Sequence, residues 1–311
     1  MRVCYHPDYT MPLPAGHPFP MGKYDALYRI LLAEGLIAKE DVVTPAEAAW
    51  EDLARVHDPE YLQAVFNGTL PEKAVRRLGL PWSPALLRRS RLAVQGTINA
   101  SIFALKEGLA GNLAGGTHHA FPDHGEGFCV FNDVAIAIRT LRAKGLVTRA
   151  AVVDLDTHQG NGTAAIFEGD PETFTFSMHG AKNFPFHKQR SSLDVELADK
   201  TDDAGYLAAL ESHLPGVLVA AQPDIVYFLG GVDPAAGDRF GRLAVSEEGL
   251  YRRDHYMLET LKDQGMPTVL VLSGGYASTA EHTAALHAIT YRAARAVYGP
   301  GASPSSAPVR P

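Results

Sequence analysis

The sequence has 311 residues, 46% hydrophobic and 20% charged, with 28 Lys+Arg against 35 Asp+Glu, 13 His and 2 Cys. That length covers one large domain or two small ones, and the near-average composition excludes a disordered, fibrous or collagen-like chain. A formal charge of −7 argues against nucleic acid or an anionic membrane as the main partner, and Cys4 and Cys129 alone build neither a disulfide framework nor a Cys-rich zinc site.

The N-terminal segment lacks the basic-then-apolar run of a secretory signal, and no apolar stretch reaches the roughly 18 residues that span a bilayer. A cytoplasmic protein with no membrane contact is therefore expected. In chain order, residues 2–5 read as a strand, and helical patterns follow over 45–53 and 58–66. A long helix is predicted over 84–108, with Ser83 as N-cap and Pro84 in its first turn. Another over 130–144, stopped by Gly145, precedes apolar strands over 150–155 and 173–177. Helices over 201–219 and 246–264, with Asp202 and Ser246 as start signals, bracket a strand over 224–229. A strand over 268–272 and a helix over 279–298 complete the pattern. Unbroken apolar strands alternating with helices predict an α/β fold, a doubly wound, mainly parallel sheet flanked by helices. No repeat or linker divides the chain, so a single domain over 1–298 is expected, with a mobile Pro/Ser-rich tail over 299–311.

In an open parallel sheet, ligands bind beyond the carboxyl ends of the strands, and four segments put polar residues there. The run VDLDTHQGNG continues the predicted strand over 150–155 into polar residues: side chains alternate along it, so Asp154, Asp156 and His158 project to one side. Buried carboxylates require a partner, and a carboxylate and an imidazole two residues apart suit a shared cation. GGTHHA presents His118 and His119 after a Gly pair, and imidazole is a base suited to neutral pH. Two further strands end in Gly230-Gly231-Val232-Asp233 and Ser273-Gly274-Gly275-Tyr276. Any one of these reads alone as a turn. Together they make an open oxygen/nitrogen ligand set, a histidine pair and a hydroxyl donor, which is the equipment for metal-assisted amide hydrolysis.

At these residues the sequence resembles the arginase/deacetylase superfamily, as a zinc-dependent histone deacetylase-like protein. The stretch VHDPEYL, then GGTHHA, GFCVFND, VDLDTHQGNG, GGVD and LSGGY occur in the family's order, and DLDTHQGNG is most similar to the class IV branch and its bacterial relatives. The resemblance implies the three-layer arginase/deacetylase fold. It implies Asp156, His158 and Asp233 as ligands of a catalytic zinc, or of ferrous iron. It implies His118 and His119 as the tandem histidines, His119 the general base, with Asp154 and Asn161 behind them, and Tyr276 polarising the substrate carbonyl. Structural potassium is implied at Asp154, Asp156, His158 and Ser177, and a second site near Phe167, Asp170 and Thr173. Phe128 and Phe184 become walls of an acyl-lysine tunnel, with Gly127 and Gly274 lining it.

Three departures qualify the likeness. Asn161 stands where many deacetylases have Asp, and a neutral amide stabilises imidazolium less, which implies a weaker base. Gly160 and Ala235 replace the extra carboxylates of arginases, which implies one catalytic metal. The segment 79–84 has no Asp to grip a peptide backbone. The activity implied is removal of an acyl group from an acyl-lysine protein or peptide. The rival readings are an acetylpolyamine amidohydrolase, for which the acidic balance suits a cationic amine, and a catalytically silent acyl-lysine binding module. The runs Arg76-Arg77 and Arg88-Arg89-Ser90-Arg91 read as solvated helix faces, and His179 and His187 as solvated loop histidines.

Overall fold

Parallel neighbours need crossovers too long for tight turns, and here most crossovers carry helices. The computed structural model describes residues 1–299. The expected tail lies, beyond its first residue, outside the described residues. The strands are β1 (Arg2–Cys4), β2 (Val42–Val43), β3 (Leu109–Asn112), β4 (Ala150–Asp154), β5 (Thr173–Gly180), β6 (Leu193–Leu197), β7 (Ile225–Leu229) and β8 (Thr268–Val271). They form one sheet in the order β2-β1-β3-β8-β7-β4-β5-β6, and every pair is parallel. All residues of β3, β4, β7 and β8 are buried, as strands covered on both faces must be.

The helices are α1 (Lys23–Ala33), α2 (Trp50–Leu53), α3 (Pro59–Asn67), α4 (Glu72–Leu78), α5 (Pro84–Glu107), α6 (Asp133–Ala143), α7 (Asn161–Ile166), α8 (Asp203–Ala221), α9 (Glu247–Asp263) and α10 (Ala280–Tyr298). One layer has α5 against β1, β3, β8 and α6, with α7 beside α6; the other stacks α1 on α10, α10 on α9 and α9 on α8. The predicted α/β sheet flanked by helices is what forms, and it is wholly parallel. After β4 the chain lays β5 and β6 on one side, then returns to place β7 and β8 on the other. The carboxyl end of β4 is thus where the winding reverses, which opens a crevice.

Several expectations are corrected. The helix over 45–53 shrinks to Trp50–Leu53, because the Ala48 backbone exchanges hydrogen bonds with Arg91 of α5. The helix over 130–144 starts at Asp133, where the Asn132 side chain accepts the Ala135 N–H at 3.0 Å. Arg89 is buried, not solvated, and its Nε donates to the Tyr9 carbonyl at 2.9 Å. His179 is a buried residue of β5, its Nδ1 2.9 Å from Ser177 Oγ.

Candidate active site

The loops leaving β3, β4, β7 and β8 converge beyond the centre of the sheet and supply the polar residues. Asp154 ends β4, and the chain then folds back on its own carboxylates. Asp156 N–H donates to Asp154 Oδ1 at 3.1 Å and His158 N–H to Asp156 Oδ1 at 2.9 Å. Asp233, after β7, accepts the Thr157 N–H at 2.9 Å, and Gly274, after β8, donates its N–H to Asp156 Oδ2 at 2.6 Å. That close approach needs glycine: a Cβ on Gly274 would lie 2.1 Å from Asp233 Oδ2.

His158 Nδ1 is 3.0 Å from both Asp156 Oδ1 and Asp233 Oδ2. The three donor atoms lie within 4.8 Å of one another, and among the described residues this is the one such cluster of three or more possible ligands. Two carboxylates buried side by side are costly unless a cation lies between them, and burial with the Asp156 charge pushes Asp233 up to about 7. Oxygen and imidazole donors in a buried, three-ligand arrangement fit a divalent metal with an open position.

The histidine pair follows β3 and is fixed from outside the loop. Asp133, the first residue of α6, accepts the N–H groups of Gly116 and Thr117 at 3.1 and 2.8 Å. His118 Nδ1 lies 2.6 Å from Asp154 Oδ2. Burial opposes its charge, but the Asp154 and Asp156 carboxylates prevail and push it up to about 9. His119 moves the other way, well below the usual range, through burial and the neighbouring His118 and His158. Its Nδ1 is 2.6 Å from Asn161 Oδ1, and the Asn161 Nδ2 donates to Glu126 Oε2 at 3.1 Å. Because Glu126 accepts only, the amide turns its oxygen to His119, which puts the proton on Nδ1 and leaves Nε2 with a lone pair.

Tyr276 lies across the same cavity, held by its N–H donating to Asp238 Oδ2 at 2.6 Å. Its ring centroid is 6.3 Å from that of His158, and its hydroxyl makes no hydrogen bond to a described residue. Burial, followed by the Asp156 and Asp233 charges, holds that hydroxyl protonated. The cavity has a volume of about 740 Å³, with His119, His158 and Tyr276 at its base and Phe128 and Phe184 as walls. Phe184 meets the His119 ring edge-on at 4.9 Å. Gly127 and Phe128 both have positive φ, 54° and 69°, and a Cβ on Gly127 would lie 2.5 Å from His119 Cδ2.

The residues read as site-forming from the four strand ends therefore come together: His119, His158 and Tyr276 line the cavity, while His118, Asp154, Asn161, Asp156 and Asp233 are hydrogen-bonded or clustered behind them. Ser177 pairs in register with Asp154 on adjacent strands, so the first suggested potassium residues also share that end of the sheet. Around the second, Arg142 already engages Asp170 Oδ2 at 2.7 Å and Thr173 Oγ1 at 2.8 Å, while the Phe167 carbonyl accepts the Asp170 N–H at 3.0 Å. Sequence reasoning missed Glu126, Asp133, Asp238 and Lys23. Lys23 is buried, donates to the Ser273 carbonyl at 3.1 Å, lies 5.8 Å from the Tyr276 ring centroid and is pushed down to about 8 by burial. It also missed Arg77: Arg76 does lie along its helix, paired with Glu72, but Arg77 lines the cavity.

A parallel α/β sheet with an open Asp–His–Asp set, a histidine pair and a tyrosine at its winding reversal defines a hydrolase of the deacetylase class. The histone deacetylase domain model matches residues 17–292, and the chain belongs to that family. An uncharacterized protein of Picosynechococcus sp. (strain PCC 7002) is 50% identical over 95% of this chain and 99% of its own length. Histone deacetylase 2 of Arabidopsis thaliana is 29% identical over 84% of this chain and 70% of its own. Among solved structures, a histone deacetylase homologue in complex with SAHA superposes with a TM-score of 0.79 at 25% identity, over 93% of this chain and 83% of its own. The acetylpolyamine aminohydrolase of Burkholderia pseudomallei shares the fold, with a TM-score of 0.79 at 22% identity, over 96% and 99%.

Proposed function

We propose that this protein is a metal-dependent deacylase that hydrolyses the amide of N-acyl-lysine. The observation that carries the reading is a neutral His119, its Nε2 free, lining one cavity with a protonated Tyr276 hydroxyl and with His158, whose Nδ1 meets the buried Asp156 and Asp233 carboxylates. Those three residues would hold the metal, zinc or else ferrous iron, which when bound supplies Lewis acidity to water and to the amide carbonyl. His119 takes the proton from water as it attacks the carbonyl carbon. Tyr276 donates to the carbonyl oxygen as it gains charge, in a site that excludes bulk water. His118, kept cationic by Asp154, adds positive charge beside the forming oxyanion. The proton on His119 passes to the amine as the C–N bond breaks. Phe128 and Phe184 hold the lysine stem between apolar faces.

The reading is tested with fluorogenic acetyl-, trifluoroacetyl- and myristoyl-lysine substrates, with and without chelator. Tyr276→Phe is expected to lower kcat by about 10²–10³ with metal content unchanged. Asp156→Ala and His158→Ala are expected to lose the metal, read by elemental analysis. Full amide hydrolysis by Tyr276→Phe would overturn the hydroxyl's role, and metal-loaded protein inert on every one of these lysine substrates would leave a binding module or an acetylpolyamine amidohydrolase.

A further inference from the structure

The mouth of the cavity carries the opposite charge from the chain as a whole. Arg77, Lys182, Arg239 and Arg242 line it, all exposed, on a protein of formal charge −7. The one carboxylate lining it with them, Glu126, is engaged by Asn161 Nδ2. Asp199 behind the mouth is shared by Arg242 at 3.3 Å and Lys182 at 3.9 Å, so that pair keeps a charge in excess. Among the described residues neither Arg77 nor Arg239 pairs with a carboxylate; Arg239 leans on the Phe240 ring and donates to the Pro18 carbonyl. Asp238 is turned inward, accepting the N–H groups of Phe240, Gly241 and Tyr276. Four cations around a narrow opening give a field that reaches about 8 Å into solvent at physiological salt.

The orientation of a substrate follows from the deacylase reading, on which this step rests. The amide must meet His119 and Tyr276 at the base, so the acyl group lies inward and the amine stem runs out between Phe128 and Phe184. Whatever continues from that stem sits among the cations. For an acetylated polyamine this is another ammonium group, which the mouth repels. For a polypeptide it is the residues flanking the lysine. Phe186, 85% exposed, adds apolar surface at the same opening, suited to an extended chain more than to a small amine. We propose that the substrate is acyl-lysine set in an acidic segment of a polypeptide, selected by Arg77, Lys182, Arg239 and Arg242.

The test uses the metal-loaded enzyme and peptides of one length, with acyl-lysine flanked by Asp/Glu, by Gly/Ser or by Lys/Arg. N-acetylputrescine and a neutral acyl-lysine amide without flanking residues complete the set. At low ionic strength kcat/KM for the acidic peptide is expected to exceed that for the basic one by about tenfold or more, and the ratio to shrink in high salt. The double variant Arg77→Glu, Arg242→Glu reverses the order while the small amide keeps its wild-type rate. Equal rates on the three peptides, or preference for N-acetylputrescine, overturns the proposal. Fluorescence anisotropy of the labelled peptides reads the mouth apart from the chemistry. Preferential binding of the acidic peptide without turnover of any substrate removes the deacylase reading and upholds the charge selection.

Discussion

At the scale of single residues, the state of His119 is decided by a group that never touches it. Glu126 accepts from Asn161 Nδ2, and the amide oxygen is thereby turned to His119 Nδ1. Replacing Glu126 by Leu frees the amide to rotate and offer a donor where an acceptor is required, which favours the wrong tautomer. The expected result is a fall in kcat of about 10–100-fold with KM little changed, and retention of most activity in Glu126→Gln, which still accepts. His57 offers a test of stability remote from the cavity. Its Nδ1 donates to the Phe121 carbonyl at 2.9 Å, and its Nε2 accepts the Asn132 N–H at 3.0 Å, so both nitrogens are used by the neutral ring. Burial pushes it down to about 4 from the ordinary 6.5. The unfolded chain therefore takes up a proton below pH 6.5 that the folded chain refuses. The contribution is intact above that pH and is lost as pH falls toward 4, reaching about 3 kcal/mol. Urea midpoints measured from pH 7 to 4.5 are expected to fall less steeply in His57→Asn than in the wild type.

At the scale of elements, one side chain ties the histidine loop to two helices. Asp133 accepts from Gly116 and Thr117 in the loop and, at 2.5 Å, from Thr97 of α5. Asp133→Ala strands those buried donors and is expected to cost about 3 kcal/mol, read as a lower urea midpoint at unchanged slope. The helices legible in the sequence were those with a chemical start signal. The Ser83, Asp202 and Ser246 side chains each accept a first-turn N–H, and Pro59 stands first in α3. α1, α4 and α7 follow Gly22, Pro71 and Gly160, none of which supplies a side-chain cap, and went unread. Strands β2 (VV), β3 (LAGN) and β6 (LDVEL) also went unread, because none carries the unbroken apolar run that marked β4, β7 and β8. The site divides the same way. Asp156 and His158 were legible because both lie on one short stretch beyond a buried strand. Glu126, Asp238 and Arg77 were not: the first two hydrogen-bond residues more than thirty positions away and Arg77 reaches the cavity lining only in the folded chain, and a lone charged residue in a loop or at a helix end carries no local mark of that.

At the scale of the molecule, the donor set ties the ends of separate strands together. Asp156 and His158 follow β4, and Asp233 follows β7. An ion that binds only the folded chain stabilises it by mass action, by about 3 kcal/mol at a hundred times its dissociation constant. Zinc added to chelator-stripped protein is therefore expected to raise Tm, and to leave Tm unchanged in Asp156→Ala. The wholly parallel sheet carries a further consequence for how the chain is made. No two neighbouring strands meet through a hairpin, and β4 gains its β7 neighbour only after some seventy intervening residues have been synthesised. A chain still on the ribosome at β6 exposes Asp156 and His158 but has no Asp233, and the Gly274 N–H that holds Asp156 comes later still. Whatever ion the donors take is taken by a finished polypeptide, so the choice among cellular metals belongs to the folded cage and not to the growing chain.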